Sequence, residues 1–137
     1  MPGDVFVDTS GFFALLVARD SRHVQCMELV RDLGKRGGLA FTSEAIISET
    51  CTLLQARRQG HLIGEFLNYV ETSRALTVLP TGGDIFRRTK EYLRRRHEHG
   101  FSFVDCSSFV LMADIHLADA LTTDEHFRIA GFNPLLC

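Results

Sequence analysis

The stretch D-V-F-V-D at residues 4–8 decides the fold, because it is short, almost continuously apolar and rich in β-branched and aromatic side chains. Such a run is typical of a strand that is buried on both faces, as strands of parallel sheets are. It ends at an acidic residue, Asp8, and an apolar helical stretch over residues 12–18 follows at once. We therefore predict a strand that turns sharply at Asp8 into a helix capped by Thr9 or Ser10.

Short apolar strands and helices alternate through the rest of the chain. Further strands are predicted at residues 39–42, 76–79, 120–122 and 133–136. Helices are predicted to start near residues 21, 43, 63, 84, 104 and 126. This order predicts an α/β fold, a three-layer α/β/α sandwich with a short-stranded, mostly parallel central sheet and right-handed connections. No repeat, linker or low-complexity segment interrupts residues 1–137, so we expect a single domain.

The composition is that of an ordinary globular protein. Of the 137 residues, 45% are hydrophobic and 23% are charged, and the formal net charge of −2 excludes a uniformly basic nucleic-acid clamp. No apolar run approaches the roughly 20 residues of a membrane helix and no secretion signal is evident, so we expect a cytoplasmic protein. The four cysteines lack CxxC spacing, which argues against structural zinc and against a disulfide framework.

Four acidic residues stand in otherwise apolar surroundings. Asp8 and Asp124 each follow a predicted strand. Glu49 shares a helix face with apolar residues, and Asp105 opens the most apolar helix of the chain. Because ligands of open parallel sheets bind at the carboxyl ends of the strands, we expect these acids to meet there. Each acid also has a structural explanation, as a helix cap, a turn residue or half of an ion pair.

Carboxylates that converge in this way need protons or a cation. At about 5 Å and an effective dielectric constant of 20, each pair of negative charges repels by roughly 3 kcal/mol. Carboxylate oxygens suit hard divalent ions, so the pattern indicates Mg²⁺ or Mn²⁺ rather than Zn²⁺ or copper. Such ions keep several waters and bind phosphate groups, so the pattern favours a phosphate-containing substrate.

The sequences around the four acids resemble the ordered acidic signature of PIN-domain ribonucleases. They read V-F-V-D-T-S-G with Asp8, I-I-S-E-T with Glu49, F-S-F-V-D-C-S-S-F with Asp105 and L-T-T-D-E-H-F with Asp124. The likeness covers essentially the whole chain, whose length is similar to that of single-domain VapC-type toxins of prokaryotic toxin-antitoxin pairs. It implies a PIN-like fold, a metal-dependent endoribonuclease, a homodimer, and a cognate antitoxin that inserts a segment near the active site.

The resemblance also implies roles for individual residues. Asp8 and Asp105 would be the principal ligands of Mg²⁺ or Mn²⁺, and Glu49 would complete the pocket. Asp124 would bind the metal directly or through water. Supporting hydroxyl side chains would come from Thr9, Ser10, Thr122 and Thr123. The last two would help to orient Asp124, and the RNA that is cleaved stays open.

The predicted helix at residues 84–99 is strongly basic, with a local charge of +3. Its basic residues are candidate contacts to RNA phosphates, at Arg87, Arg88, Lys90, Arg94, Arg95 and Arg96. The alternative is a solvated helix face on which Glu91 pairs with Arg95 at a spacing of four residues. Histidines in the second half of the chain are predicted to be surface or hydrogen-bonded residues rather than bases, at His97, His99, His116 and His126.

Other function classes share part of this pattern. A phosphoryl-transfer domain of the receiver or phosphatase kind also carries an Asp after its first strand, but Ser10 stands where its second acid would be. Motifs of nucleotide-cofactor enzymes, GxGxxG and GxxxxGK[ST], are absent from the sequence. An RNA-processing nuclease outside toxin-antitoxin pairs, and a catalytically silent interaction module whose acids pair with arginines, stay open as alternatives.

Overall fold

The computed structural model describes residues 3–137. In this part of the chain five strands alternate with seven α-helices in the predicted order. The strands are β1 Val5–Val7, β2 Ala40–Ser43, β3 Leu76–Leu79, β4 Asp119–Leu121 and β5 Asn133–Pro134. The helices are α1 Thr9–Leu16, α2 His23–Lys35, α3 Glu44–Ala56, α4 Ile63–Thr72, α5 Gly83–Arg96, α6 Phe103–Asp114 and α7 His126–Ile129. Short 3-10 turns precede α4 at Gly60–Leu62 and follow α5 at His97–His99.

The strands form one sheet in the order β3-β2-β1-β4-β5, and all four pairings are parallel. The chain builds β2 and β3 on one side of β1 and then returns to build β4 and β5 on the other side. Such a reversal of strand order opens a crevice at the carboxyl ends of the two strands beside it, here β1 and β4. In the register Val7 pairs with Leu121, so the residues that follow them leave the sheet side by side.

Two groups of helices cover the sheet, which confirms the predicted α/β/α sandwich. In one group α1 packs against α2 and α3, and in the other α6 packs against α5 and α7. Strand β1 is buried along its whole length, as its unbroken apolar sequence predicts. None of the described helices is long and apolar enough to cross a lipid bilayer.

Aromatic rings fix both helix groups to the core. On the α1 side the rings of Phe12 and Phe66 meet edge to face at 5.0 Å. On the α6 side Phe109 contacts Phe101 at 5.0 Å and Phe127 at 4.9 Å, both in T-shaped geometry. Edge-to-face pairs of this kind add about 0.5–1.5 kcal/mol each beyond area burial. The packing around Phe109 holds α6, which carries Asp105, and α7, which follows Asp124, in a fixed relation.

The prediction that Thr9 or Ser10 caps α1 is wrong. The helix already includes both residues, and Asp8 occupies the N-cap position without a side-chain capping hydrogen bond. The physical reason is that the two hydroxyls are used elsewhere, because the Thr9 hydroxyl donates to Glu49 and the Ser10 hydroxyl lies against Thr122. The Asp8 carboxylate likewise points to a neighbouring strand end rather than to its own helix.

Gly11 lets α1 lie directly on the end of β4. A Cβ atom at this position would stand 2.1 Å from the backbone oxygen of Leu121, a distance that no side chain tolerates. The absence of a side chain therefore permits the close approach of helix and strand. This approach brings Ser10 and Asp8 against Thr122, the first residue after β4.

Candidate metal centre

Asp8 leaves β1 at the crevice, where it is 5% exposed and surrounded by hydroxyl groups. The Thr122 hydroxyl donates a hydrogen bond to Asp8 Oδ2 at 2.8 Å. The Ser10 hydroxyl lies 3.0 Å from Thr122 Oγ1 and 3.3 Å from the same Asp8 oxygen. The backbone amide of Thr123 donates to Ser10 Oγ, which fixes the direction of that hydroxyl. The strand ends of β1 and β4 thus cooperate to orient one carboxylate.

Burial raises the pKa of Asp8 to about 7, although the hydrogen bond from Thr122 opposes this effect. The negative charges of Asp105 and Glu49 raise the pKa of Asp8 further. Three of the predicted acids are therefore close enough to repel one another. In the absence of a positive charge, this environment favours the neutral form of Asp8.

Glu49 reaches the same region from α3. It is half-buried, and its Oε1 accepts a hydrogen bond of 2.6 Å from the Thr9 hydroxyl. Because Thr9 directly follows Asp8, this bond ties α3 to the end of β1. Within residues 3–137 no Lys or Arg forms an ion pair with Glu49. The alternative that Glu49 is half of a structural ion pair therefore finds no support.

Asp105 and Asp124 form a second part of the site together with His126. The Nδ1 atom of His126 lies 3.4 Å from Asp105 Oδ2 and 3.4 Å from Asp124 Oδ1. One ligand atom from each of the three residues lies within 4.8 Å of the others, a spacing that suits a single cation. Burial, followed by the charge of Asp124, raises the pKa of Asp105, while Ser102 and His126 lower it.

Local hydrogen bonds orient these two acids as well. Ser102 caps α6, and the Ser102 amide donates to Asp105 Oδ2 at 3.2 Å, which completes a capping box. Asp124 Oδ1 accepts from the His126 amide at 2.9 Å, and the Asp124 amide donates to Thr122 Oγ1. The capping and turn roles anticipated for these residues are thus real. They hold the carboxylates toward one another and do not exclude a ligand role.

His126 is the residue that sequence reasoning missed, because it was predicted to be an ordinary surface or hydrogen-bonded histidine. Its side chain is 35% exposed and stands between two of the acids. The spacing Asp124-x-His126 could have indicated this position. An Asp that accepts from the amide two residues on forms a tight turn, which returns the second side chain toward the first.

The donor set fits a divalent cation. Asp8, Glu49, Asp105 and Asp124 supply carboxylate oxygens at one edge of the sheet. Burial, and to a smaller extent repulsion by neighbouring acids, raises the pKa of Asp8 and of Asp105. No Lys or Arg among the described residues forms an ion pair with any of the four. A hard cation would balance the charge that the protein leaves unbalanced.

Three of the six basic side chains on α5 are engaged by carboxylates. Arg87 pairs with Asp84, and Arg88 pairs with Asp84 and, through both terminal nitrogens, with Asp114 of α6. These bonds lower the pKa of Asp84 and of Asp114 and raise that of Arg88. Arg88 therefore joins α5 to α6 rather than presenting free donors.

The predicted pair of Glu91 with Arg95 is wrong. Glu91 contacts Arg94, three residues away, because residues three and four apart are both neighbours on a helix and spacing alone does not choose between them. Arg95 has no carboxylate partner within the described part of the chain. Lys90 and Arg96 likewise form no ion pair with a carboxylate among the described residues.

Comparison with known proteins supplies the family. The family model of the PIN domain matches residues 5–133, which include β1 to β4, the first residue of β5 and all four acids. The chain belongs to the PIN-domain family. The resemblance identified from the acidic motifs is therefore confirmed, and the phosphoryl-transfer alternative is excluded.

Relatives within the PIN-domain family are similar to this chain over almost its full length. The chain is 34% identical over 128 residues to the 23S rRNA-specific endonuclease VapC20 of two Mycobacterium tuberculosis strains, CDC 1551 and H37Rv, covering 93% of this chain and 95% of the relative. The crystal structure of Mycobacterium tuberculosis VapC20, described as a sarcin-ricin loop cleaving toxin, matches with a TM-score of 0.83 at 32% identity. That match covers 94% of this chain and 96% of the other.

Proposed function

We propose that this PIN-domain protein is a metal-dependent endoribonuclease that hydrolyses RNA phosphodiester bonds, and that it is the toxin of a toxin-antitoxin pair. The observation that carries the nuclease is the group of carboxylates from Asp8, Glu49, Asp105 and Asp124, gathered at the crevice without a Lys or Arg counter-ion. The toxin role is supported by similarity to VapC20. We assign the activity to one domain, residues 1–137.

In this proposal Asp8, Asp105 and Asp124 hold Mg²⁺ or Mn²⁺, Glu49 completes the pocket, and His126 is an added ligand. The bound ion would polarise the scissile phosphate and lower the pKa of the attacking water. The protein's own contribution is orientation: hydroxyls fix Asp8, Thr9 fixes Glu49, and the amide of Ser102 fixes Asp105.

The hydroxyl residues divide into two kinds in this scheme. Thr122 serves two acids, because its hydroxyl donates to Asp8 and accepts from the amide of Asp124. Ser10 supports the same oxygen of Asp8. Thr123 acts through its backbone amide, which donates to Ser10, rather than through its hydroxyl. The support expected from Thr123 is therefore proposed for its main chain.

The substrate class and partners follow from the relatives. VapC20 is named for 23S rRNA and for the sarcin-ricin loop, so we propose RNA as the substrate and that loop as the first RNA to test. We also propose a cognate antitoxin, a homodimer and a cytoplasmic location. Light scattering on the purified protein checks the dimer, with a mass near twice 15.4 kDa expected.

The test is cleavage of an end-labelled sarcin-ricin loop hairpin and of total RNA in Mg²⁺, in Mn²⁺ and in EDTA. We expect wild-type protein to cleave only with metal. Asp8→Asn and Asp105→Asn should each lose at least about a hundredfold in rate, since several kcal/mol of transition-state stabilisation depend on the metal. Asp32→Asn, at an exposed acid of α2, is the matched control and should cleave like wild type.

Two results would contradict the nuclease. Equal cleavage by wild type and both site variants would mean that a contaminating nuclease was measured. Absence of cleavage by wild type, together with tight metal binding that needs Asp8 and Asp105, would favour the silent interaction module.

A further inference from the structure

A groove of about 400 Å³ lies between α5 and α6, outside the acidic site. Helix α5 contributes four arginines, Glu91 and Tyr92 to its lining, and the α6 side runs from Phe109 to Asp114. Its two acids are already neutralised, because Asp114 binds Arg88, and Glu91 binds Arg94, which is not among the lining residues. The groove therefore carries surplus positive charge.

Two of the lining arginines hold that surplus. Arg95 and Arg96 have no carboxylate partner among residues 3–137, whereas Arg87 and Arg88 do. Arg96 donates a hydrogen bond to the Tyr92 hydroxyl at 3.0 Å, and its guanidinium lies 4.6 Å from the centre of the same ring. The Tyr92 ring holds the guanidinium by a cation–π contact and leaves most of its five donors for another acceptor.

The groove adjoins the acidic site through a short series of rings. The Tyr92 ring lies 6.3 Å from that of Phe101, which lies 5.4 Å from the ring of His126. Along α6, Phe109 follows Asp105 by about one turn, or roughly 6 Å of helix rise. A polyanion bound at the acidic edge would therefore reach the groove with its next phosphates.

We infer that the groove between α5 and α6 binds a backbone phosphate of the RNA, beside the bond that is cleaved, through the guanidinium groups of Arg95 and Arg96. The inference rests on the proposed nuclease function and assigns part of its substrate site. Guanidinium forks bind phosphate oxygens in pairs, which orients the strand as well as attracting it. Arg95 and Arg96 are both among the sequence-based candidates, and the structure singles them out because they line the groove without a carboxylate partner in the described residues.

Binding in EDTA separates this site from cleavage. The fluorescence anisotropy of a labelled sarcin-ricin loop hairpin is measured from 50 to 300 mM salt with wild type and Arg95→Gln/Arg96→Gln. We expect affinity to fall at least about tenfold and the salt dependence to flatten by about 0.7 for each phosphate that the variant no longer binds. Arg31→Gln/Lys35→Gln, on the exposed face of α2, removes the same charge and should change affinity by less than about threefold.

The outcomes test RNA binding in the groove separately from the proposed nuclease function. Wild-type RNA affinity in Arg95→Gln/Arg96→Gln, together with metal-dependent cleavage by wild type, would contradict RNA binding in the groove. The proposed nuclease function would then still stand. Equal losses in both double variants would also contradict RNA binding in the groove, since net charge alone would explain them. Unchanged RNA affinity with weaker binding of a polyglutamate peptide would assign the groove to an acidic protein instead. Wild type that neither binds nor cleaves RNA would overturn both proposals.

Discussion

Asp8 is held in a setting that opposes its charge, and this has a measurable effect on the metal-free protein. In the folded protein burial raises the pKa of Asp8 to about 7, whereas the ordinary value is 3.8. Between those values the folded chain keeps a proton that the unfolded chain has released. The free energy of unfolding should therefore fall as the pH rises from about 4 to about 7, by as much as roughly 4 kcal/mol.

Urea unfolding in EDTA at pH 4.5, 5.5 and 6.5 measures this slope. Asp8→Asn should flatten it, because Asn does not titrate, and Asp32→Asn should retain it. Equal slopes in wild type and Asp8→Asn would show that Asp8 ionises normally. Metal affinity should follow the opposite trend and strengthen with pH, because the ligands must lose their protons.

In the proposed metal site His126 would supply a nitrogen ligand beside the oxygen ligands of the acids. Imidazole suits first-row transition ions such as Mn²⁺ better than it suits Mg²⁺, which prefers oxygen. We expect His126→Gln to weaken Mn²⁺ binding by about tenfold and Mg²⁺ binding by less than about twofold. Isothermal titration with each ion measures both values. Equal losses for the two ions would mean that His126 orients the carboxylates and does not ligate.

At the scale of helices and strands, residue type and periodicity were sufficient to predict the order of elements and the edge at which the acids meet. Residue type and periodicity were insufficient wherever a polar side chain can form a hydrogen bond with either a local or a distant partner. Thr9 was a good candidate to cap α1, but its hydroxyl donates a hydrogen bond to Glu49 of α3. These two residues are 40 positions apart in the sequence. The position of His126 depended on a turn formed by Asp124 and on packing against Phe101. Such choices are made by tertiary contacts that no local pattern contains.

The contact between α1 and β4 gives a sharp test of the fold around the site. Gly11→Ala would place a Cβ atom 2.1 Å from the Leu121 oxygen, so α1 must move. We expect it to destabilise the protein by about 2 kcal/mol or more, and to lower cleavage as Asp8 shifts from Thr122. Gly64→Ala in α4 is the control, since nothing lies within 4 Å of its Cβ position. This control should stabilise the protein by roughly 0.5–1 kcal/mol.

Thermal unfolding checks both glycine variants. A Gly11→Ala protein that melts like wild type would show that helix and strand tolerate a wider separation.

For the molecule as a whole, a cation bound by the carboxylate cluster would couple metal binding to folding. A cation that binds only the folded chain stabilises it by about 2.7 kcal/mol at a hundred times its Kd. We expect 5 mM Mg²⁺ or Mn²⁺ to raise the melting temperature of wild type by several degrees relative to EDTA. Asp105→Asn should melt at or above wild type in EDTA, because it removes a repelling charge while its amide oxygen still accepts from Ser102.

The melting temperature of Asp105→Asn should rise little when metal is added. Scanning fluorimetry with matched ionic strength, set with KCl, measures these shifts. A similar metal-induced rise in Asp105→Asn and wild type would place the cation elsewhere on the molecule.

The central position of β1 also bears on when the protein acquires its activity during synthesis. Its neighbour on one side, β2, leaves the ribosome early, but its neighbour on the other side is β4, and the Asp8–Thr122 hydrogen bond spans 114 residues. At 5–20 residues per second, translation of that interval takes roughly 6–23 s. A nascent chain can begin its sheet during this time, but the proposed site lacks Asp124 and His126 until those residues have been synthesised. The proposed metal centre is therefore completed only after all of β1 to β4 has been synthesised.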